Sequence, residues 1–127
     1  MELVAIVAVG ALIEYAVFMF RAGQARGRYE VAAPATHGHP LFERNLRVQE
    51  NTIEQLVIFL PSIFLFGSYV SPGWAALIGL VFIAGRMLYA RAYVDDPARR
   101  GPGFLMTLGS NFVLLIGGLI GAVVAWL

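Results

Sequence analysis

A chain of 127 residues that is 59% hydrophobic and only 13% charged cannot cover its apolar surface as a water-soluble domain does, since such domains carry roughly 45–50% and about 25%. The length allows one domain, whose apolar faces must meet lipid or a partner subunit. A net charge of +1 argues against a nucleic-acid binder, which needs a basic patch able to neutralise several phosphates. The absence of cysteine excludes disulfides, a thiolate metal site and a protein thiol nucleophile, so any sulfur chemistry has to come from a bound substrate.

Four apolar stretches follow in chain order, each close to the roughly 20 residues that a helix needs to cross a hydrocarbon core of about 30 Å. The first runs from about Leu3 to Phe20 and is interrupted only by Glu14 and Tyr15. It starts on Glu2 rather than on basic residues and keeps Met1, so it reads as a true span and not as a signal peptide. The second is apolar from Ile53 to Val70, but its periodic pattern begins near Phe42, which puts its first turns in the aqueous interface. Pro61 removes a backbone donor within it and is expected to bend the helix, with no mechanistic role required. The third extends from about Trp74 to Tyr93 and the fourth from about Phe104 to Leu127.

The connection Val70-Ser71-Pro72-Gly73-Trp74 is short and uncharged, as a tight turn between antiparallel helices would be. The segments after the first and third helices instead mix Pro34, Gly38, Pro40, Pro97, Gly101, Pro102 and Gly103 with arginines. All nine basic residues are arginine, and they fall between Arg21 and Arg47 or between Arg86 and Arg100. With four spans these two connections share one side, which the positive-inside rule makes cytoplasmic, with both termini opposite. The expected fold is therefore an all-α membrane protein, an up-down bundle of four transmembrane helices occupying residues 1–127 as one domain.

Two polar stripes stand at the cytoplasmic ends of their helices. Arg47, Asn51 and Glu54 are spaced i, i+4, i+7, and Arg86, Tyr89 and Tyr93 are spaced i, i+3, i+7, so each set shares one helix face. Charges at membrane depth must face the bundle interior and find partners there. A Glu54–Arg86 pair fastening the second and third helices would meet that need without any ligand. Yet this end also offers Arg26, Gln49, Arg99 and Arg100, a surplus of donors suited to a ligand bearing carboxylates. Glu14 is expected to contact a polar group on another helix, as a packing residue rather than a catalytic one. His37 and His39 lack the further ligands that a metal site needs and read as loop residues. Gly117 and Gly121, with Gly109 and Gly118, read as a thin face for close helix packing.

The stretches Phe42-Glu43-Arg44-Asn45-Leu46-Arg47-Val48-Gln49-Glu50-Asn51-Thr52-Ile53-Glu54 and Gly85-Arg86-Met87-Leu88-Tyr89-Ala90-Arg91-Ala92-Tyr93, continuing to Arg99-Arg100-Gly101-Pro102-Gly103-Phe104, give the chain a resemblance to the MAPEG family. These are the membrane-associated proteins of eicosanoid and glutathione metabolism, and the likeness is to their microsomal glutathione transferases. The resemblance covers nearly the whole sequence. It implies a homotrimer with glutathione bound between neighbouring subunits near the cytoplasmic end, and no metal. Carried over by position, Arg47, Asn51, Glu54, Arg86, Tyr89 and Tyr93 would contact the tripeptide from one subunit, with Arg26 and Gln49 reaching in from the next. Arg100 matches the arginine that activates the glutathione thiol in the leukotriene synthase branch. Two positions depart from that branch: Gln55 stands where it has tyrosine, and Gly27 replaces a second arginine beside Arg26, which points away from a leukotriene-type activity.

The implied function is a membrane-bound glutathione transferase or peroxidase acting on lipophilic electrophiles or lipid hydroperoxides. If the source is bacterial, its place is the inner membrane. A non-catalytic lipid-binding or scaffold protein of the same family is the alternative, disfavoured by the joint presence of Arg26, Arg47, Tyr93 and Arg100. A small transporter ranks last, because the fourth helix offers only Ser110 and Asn111 toward a polar path.

Overall fold

Each helix is opened and closed by identifiable residues. The computed structural model describes residues 1–127, arranged as α1 Glu2–Arg28, α2 Pro40–Tyr69, α3 Pro72–Asp95 and α4 Gly101–Trp126, with one 3₁₀ turn at Pro97–Arg99. Pro40 and Pro72 each stand in the first turn of their helix, where the missing N–H costs nothing. The His39 ring accepts from the Leu41 amide at 3.1 Å, and Ser71 Oγ accepts from the Trp74 amide at 3.3 Å. The Val31 amide closes α1 by bonding to the Arg26 carbonyl at 2.9 Å. Glu30 there adopts a left-handed φ of 56°, a place usually given to glycine.

The first helix runs eight residues beyond the expected Phe20. Lipid-spanning length does not limit a helix, and past the apolar stretch Ala22 and Ala25 remain buried while Arg21, Gln24 and Arg28 stand in solvent-facing positions that still favour helix. The second helix starts at Pro40, close to the onset of its periodic pattern, and continues through Pro61 as a single helix.

The helices alternate in direction, so the C-terminal ends of α1 and α3 and the N-terminal ends of α2 and α4 form one charged end. Arg44 ties this end together, donating to the Val94 and Asp95 carbonyls at 3.0 and 3.2 Å. A cation suits the carbonyl-rich terminus of α3. The opposite half is an apolar core to which all four helices contribute, with Val4 and Ala11 of α1, Phe59 and Ile63 of α2, Phe82 of α3 and Leu114 of α4 fully or nearly fully buried. At its centre the Phe59 and Phe82 rings stack 3.9 Å apart.

Lipid tails are as apolar as leucine, so association within a membrane rests on close packing rather than on burial from water. Small residues provide the room. A Cβ at Gly79 would stand 2.6 Å from Val7 Cγ1, and one at Gly117 would stand 2.5 Å from the Phe66 ring. Gly118 and Gly121 meet α2 backbone in the same way, whereas Gly109 faces open space. All four helices are long and apolar enough to cross a membrane. Residues such as Val57, Phe112 and Val124 turn outward, giving an outer surface that only lipid or another apolar surface can cover.

Candidate ligand site

The two polar stripes converge. Arg47, Asn51, Glu54 and Gln55 of α2 face Tyr89 and Tyr93 of α3 across a cavity of about 630 Å³, and Arg100 and Phe104 at the start of α4 complete its border. That volume is in the range of small-molecule sites. The Tyr89 and Tyr93 rings stack at 5.5 Å and form one wall.

Arg100 reaches this cavity because the α3–α4 crossing is unusually close. A Cβ on Gly103 would lie 2.7 Å from the Tyr89 Cα and 2.8 Å from the Gly85 carbonyl oxygen, and one on Gly85 would lie 2.8 Å from Met106 Cβ. Only glycine permits backbone on backbone here. The crossing draws the Pro97–Gly103 segment over the end of α3. Arg100 stays exposed, its side chain making only a 3.4 Å contact to the Pro97 carbonyl, and so most of its guanidinium donors are free for a ligand.

Arg86 lies behind the cavity rather than on its surface, and it is fully buried. Its Nη1 donates to Asn51 Oδ1 at 2.7 Å and to Thr52 Oγ1 at 3.3 Å, and its Nε donates to Thr107 Oγ1 at 3.0 Å. Its guanidinium also covers the face of Tyr89 at 4.2 Å from the ring centre. A single cation thus joins α2, α3 and α4 directly beneath two cavity residues. This differs from the simple Glu54–Arg86 pair: Glu54 instead accepts from Arg47 at 2.9 Å, with Glu50 at 3.6 Å from the same guanidinium. Glu54 is about half exposed at the rim, whereas Arg86 is fully buried and meets hydroxyl and amide partners.

The remaining expected residues are placed elsewhere. Arg26 packs over the Phe42 ring at 4.6 Å and donates to the Ala35 carbonyl at 2.8 Å. It and Gln49 lie on this subunit's surface outside the cavity. Glu14 reaches no polar partner: both carboxyl oxygens are buried without a hydrogen bond, as is Arg86 Nη2. His37 pairs with Glu43 at 3.0 Å.

Gln55, noted in the sequence as a departure from the leukotriene synthase branch, borders the cavity. Three residues with a part in the site escape the sequence patterns: Phe104 borders the cavity, and Thr52 and Thr107 hold Arg86. Thr107 carried no signal beyond one hydroxyl in a mostly apolar helix that also holds Ser110 and Asn111. Gln55 is itself positioned by Asn111, which donates to its Oε1 at 3.0 Å.

Comparison with known proteins fits this architecture. The model of the MAPEG family matches residues 4–120. The chain is 44% identical over 110 residues to an uncharacterized protein of Synechocystis sp., covering 87% of this chain and 80% of that protein. It is 35% identical over 119 residues to microsomal glutathione S-transferase 2 of Homo sapiens, covering 94% and 81%. To leukotriene C4 synthase of Bos taurus it is 34% identical over 98 residues, covering 77% and 65%. With four membrane-length helices and a family match over almost its full length, the chain belongs to the MAPEG family and is an integral membrane protein built as a four-helix bundle.

Proposed function

We propose that the protein is a membrane-bound glutathione transferase, with glutathione peroxidase chemistry open to the same site. The observation that carries this reading is the meeting of Arg47, Asn51, Tyr93 and Arg100 around one cavity. Glutathione bears two carboxylates, one ammonium group and one thiol. Arginine forks suit the carboxylates, and Glu54 is the one acid on the border that suits the ammonium. Two relatives named for glutathione S-transferase and leukotriene C4 synthase activity support the same reading.

Arg100 is the proposed catalytic residue. A thiol with a pKa of about 8.5 is mostly protonated at neutral pH, and a guanidinium beside the sulfur favours the nucleophilic thiolate. Each unit of lowering corresponds to about 1.4 kcal/mol of differential stabilisation. The thiolate then attacks the electrophilic carbon of a lipophilic acceptor and displaces its leaving group. With a lipid hydroperoxide, two glutathione molecules leave as the disulfide while the hydroperoxide becomes an alcohol and water. Such acceptors dissolve in the bilayer, next to the apolar outer surface.

The same reading includes a homotrimer in which Arg26 and Gln49 of a neighbouring subunit close the site, which accords with their position outside this subunit's own cavity. It puts the arginine-bearing end in the cytoplasm, as the positive-inside rule expects. The test is a glutathione titration of the purified protein followed by ultraviolet thiolate absorbance, with turnover of a chlorinated aromatic and of a lipid hydroperoxide. The expected result is a thiolate signal that Arg100→Ala abolishes together with turnover. Binding of a fatty acid without any binding of glutathione would instead favour the non-catalytic alternative.

A further inference from the structure

Six of the nine arginines are engaged within the chain: Arg26, Arg44, Arg47, Arg86, Arg99 and Arg100 each donate to a carbonyl, carboxylate or side-chain oxygen. The other three, Arg21, Arg28 and Arg91, make neither a hydrogen bond nor a salt bridge. These three are not scattered. Arg21 and Arg91 border one cavity of about 450 Å³, and Arg21 and Arg28 border an adjoining one of about 760 Å³. Arg21 and Arg91 also form the rim of a narrower cleft of about 260 Å³ that descends between α1 and α3 past Ile13, Val17, Ile83 and Met87.

Sequence spacing explains the alignment. Arg21 and Arg28 are seven residues apart and share a stripe of α1 with Val17, and Ile83, Met87 and Arg91 repeat every four residues on α3. Arg26 points about 140° away from Arg21 around the same helix, so this face is distinct from the one that carries Arg26. It is also distinct from the cavity of Arg47 and Arg100, to which α1 contributes nothing.

We propose that this face binds an acidic phospholipid of the surrounding bilayer, its phosphate held by Arg21 and Arg91 and one acyl chain laid in the α1–α3 cleft. Two like charges bordering one cavity repel each other until an anion lies between them, and a phosphate accepts the forked hydrogen bonds that guanidinium groups offer. Basic pockets between helices at the positively charged membrane face are suited to acidic headgroups. The apolar cleft directly below the rim selects an anion that carries a chain over a free one. Its two acids do not oppose this: Asp95 on the upper border is already 3.5 Å from Arg99, and the Glu14 carboxyl oxygens are buried.

The test is native mass spectrometry of the purified full-length protein, titrated with phosphatidylglycerol, with phosphatidylcholine of the same chains, and with inorganic phosphate. The wild type is expected to retain phosphatidylglycerol at a concentration about tenfold or more below that needed for phosphatidylcholine. The double variant Arg21→Gln/Arg91→Gln is expected to lose that preference, and Val17→Trp, which fills the cleft and leaves the charges, is expected to weaken retention. Circular dichroism checks that each variant is folded, and Arg91→Gln alone replaces a double variant that is not. Equal retention of the two lipids by the wild type overturns the proposal, as does an unchanged preference in the folded arginine variant. It is also overturned if inorganic phosphate displaces the lipid and Val17→Trp binds as the wild type does, since that describes a free-anion site.

Discussion

The Arg86 guanidinium lies 4.2 Å from the centre of the Tyr89 ring while one of its nitrogens holds Asn51 Oδ1 at 2.7 Å. One buried cation therefore supports both the aromatic and the amide side of the cavity. A lysine at this position keeps the charge and loses the fork, so it cannot serve Asn51 and Thr107 together. Arg86→Lys is expected to lower stability in detergent by about 1–3 kcal/mol, the cost of a buried polar group left unpaired. Thermal unfolding of the two proteins in the same detergent measures this.

The close approach at Gly103 makes a different demand. Gly103→Ala drives a methyl group into the Tyr89 backbone and has to displace the start of α4, together with Arg100. It is expected to destabilise by about 1–3 kcal/mol through overpacking and to impair ligand binding. Gly109→Ala, in open space on the same helix, is expected to stabilise by about 0.5–1 kcal/mol. Opposite shifts in melting temperature for the pair check both statements.

Arg47 donates to Glu54 near the rim, where both side chains are about half exposed. Such a pair contributes under about 1 kcal/mol to stability, so Arg47→Gln is expected to leave the melting temperature nearly unchanged. Its effect on ligand affinity should be larger, a loss of about tenfold or more in glutathione binding, as for a charge-assisted hydrogen bond to a carboxylate. Isothermal titration separates the two effects, and unchanged affinity would remove Arg47 from the proposed site.

Glu30 holds the left-handed position that ends α1, with φ of 56°. Glu30→Gly relieves the Cβ crowding of that conformation and is expected to stabilise the protein by roughly 0.5–1 kcal/mol, net of the entropy glycine loses on folding. A higher melting temperature with unaltered activity is the expected outcome.

The membrane-crossing helices were legible because long apolar runs and clustered arginines report directly on the solvent around each segment. The extent of α1 was not, since Ala22 and Ala25 continue the buried face after hydropathy has fallen. Spacing placed Arg47 with Asn51 and Tyr89 with Tyr93, and the structure brings both pairs to one cavity. Partner choice was hidden: Arg86 meets Asn51, Thr52 and Thr107 rather than Glu54 because three helices converge at a depth fixed by the Gly85–Gly103 crossing. Spacing along one helix carries no information about that depth. The same limit applies to Glu14, which stood out as an acid within an apolar stretch but whose lack of a polar partner was not readable.

No hydrogen bond connects α1 to any other helix, whereas Arg86, Arg44 and Asn111 link the remaining three to one another. The molecule is mechanically a braced tripod with a fourth rod held by dispersion forces and by the Arg26–Phe42 contact. Changes in bilayer thickness, which tilt helices at a modest cost per ångström, act first on that unbraced rod. The tripod that frames the cavity keeps its shape while the rod leans.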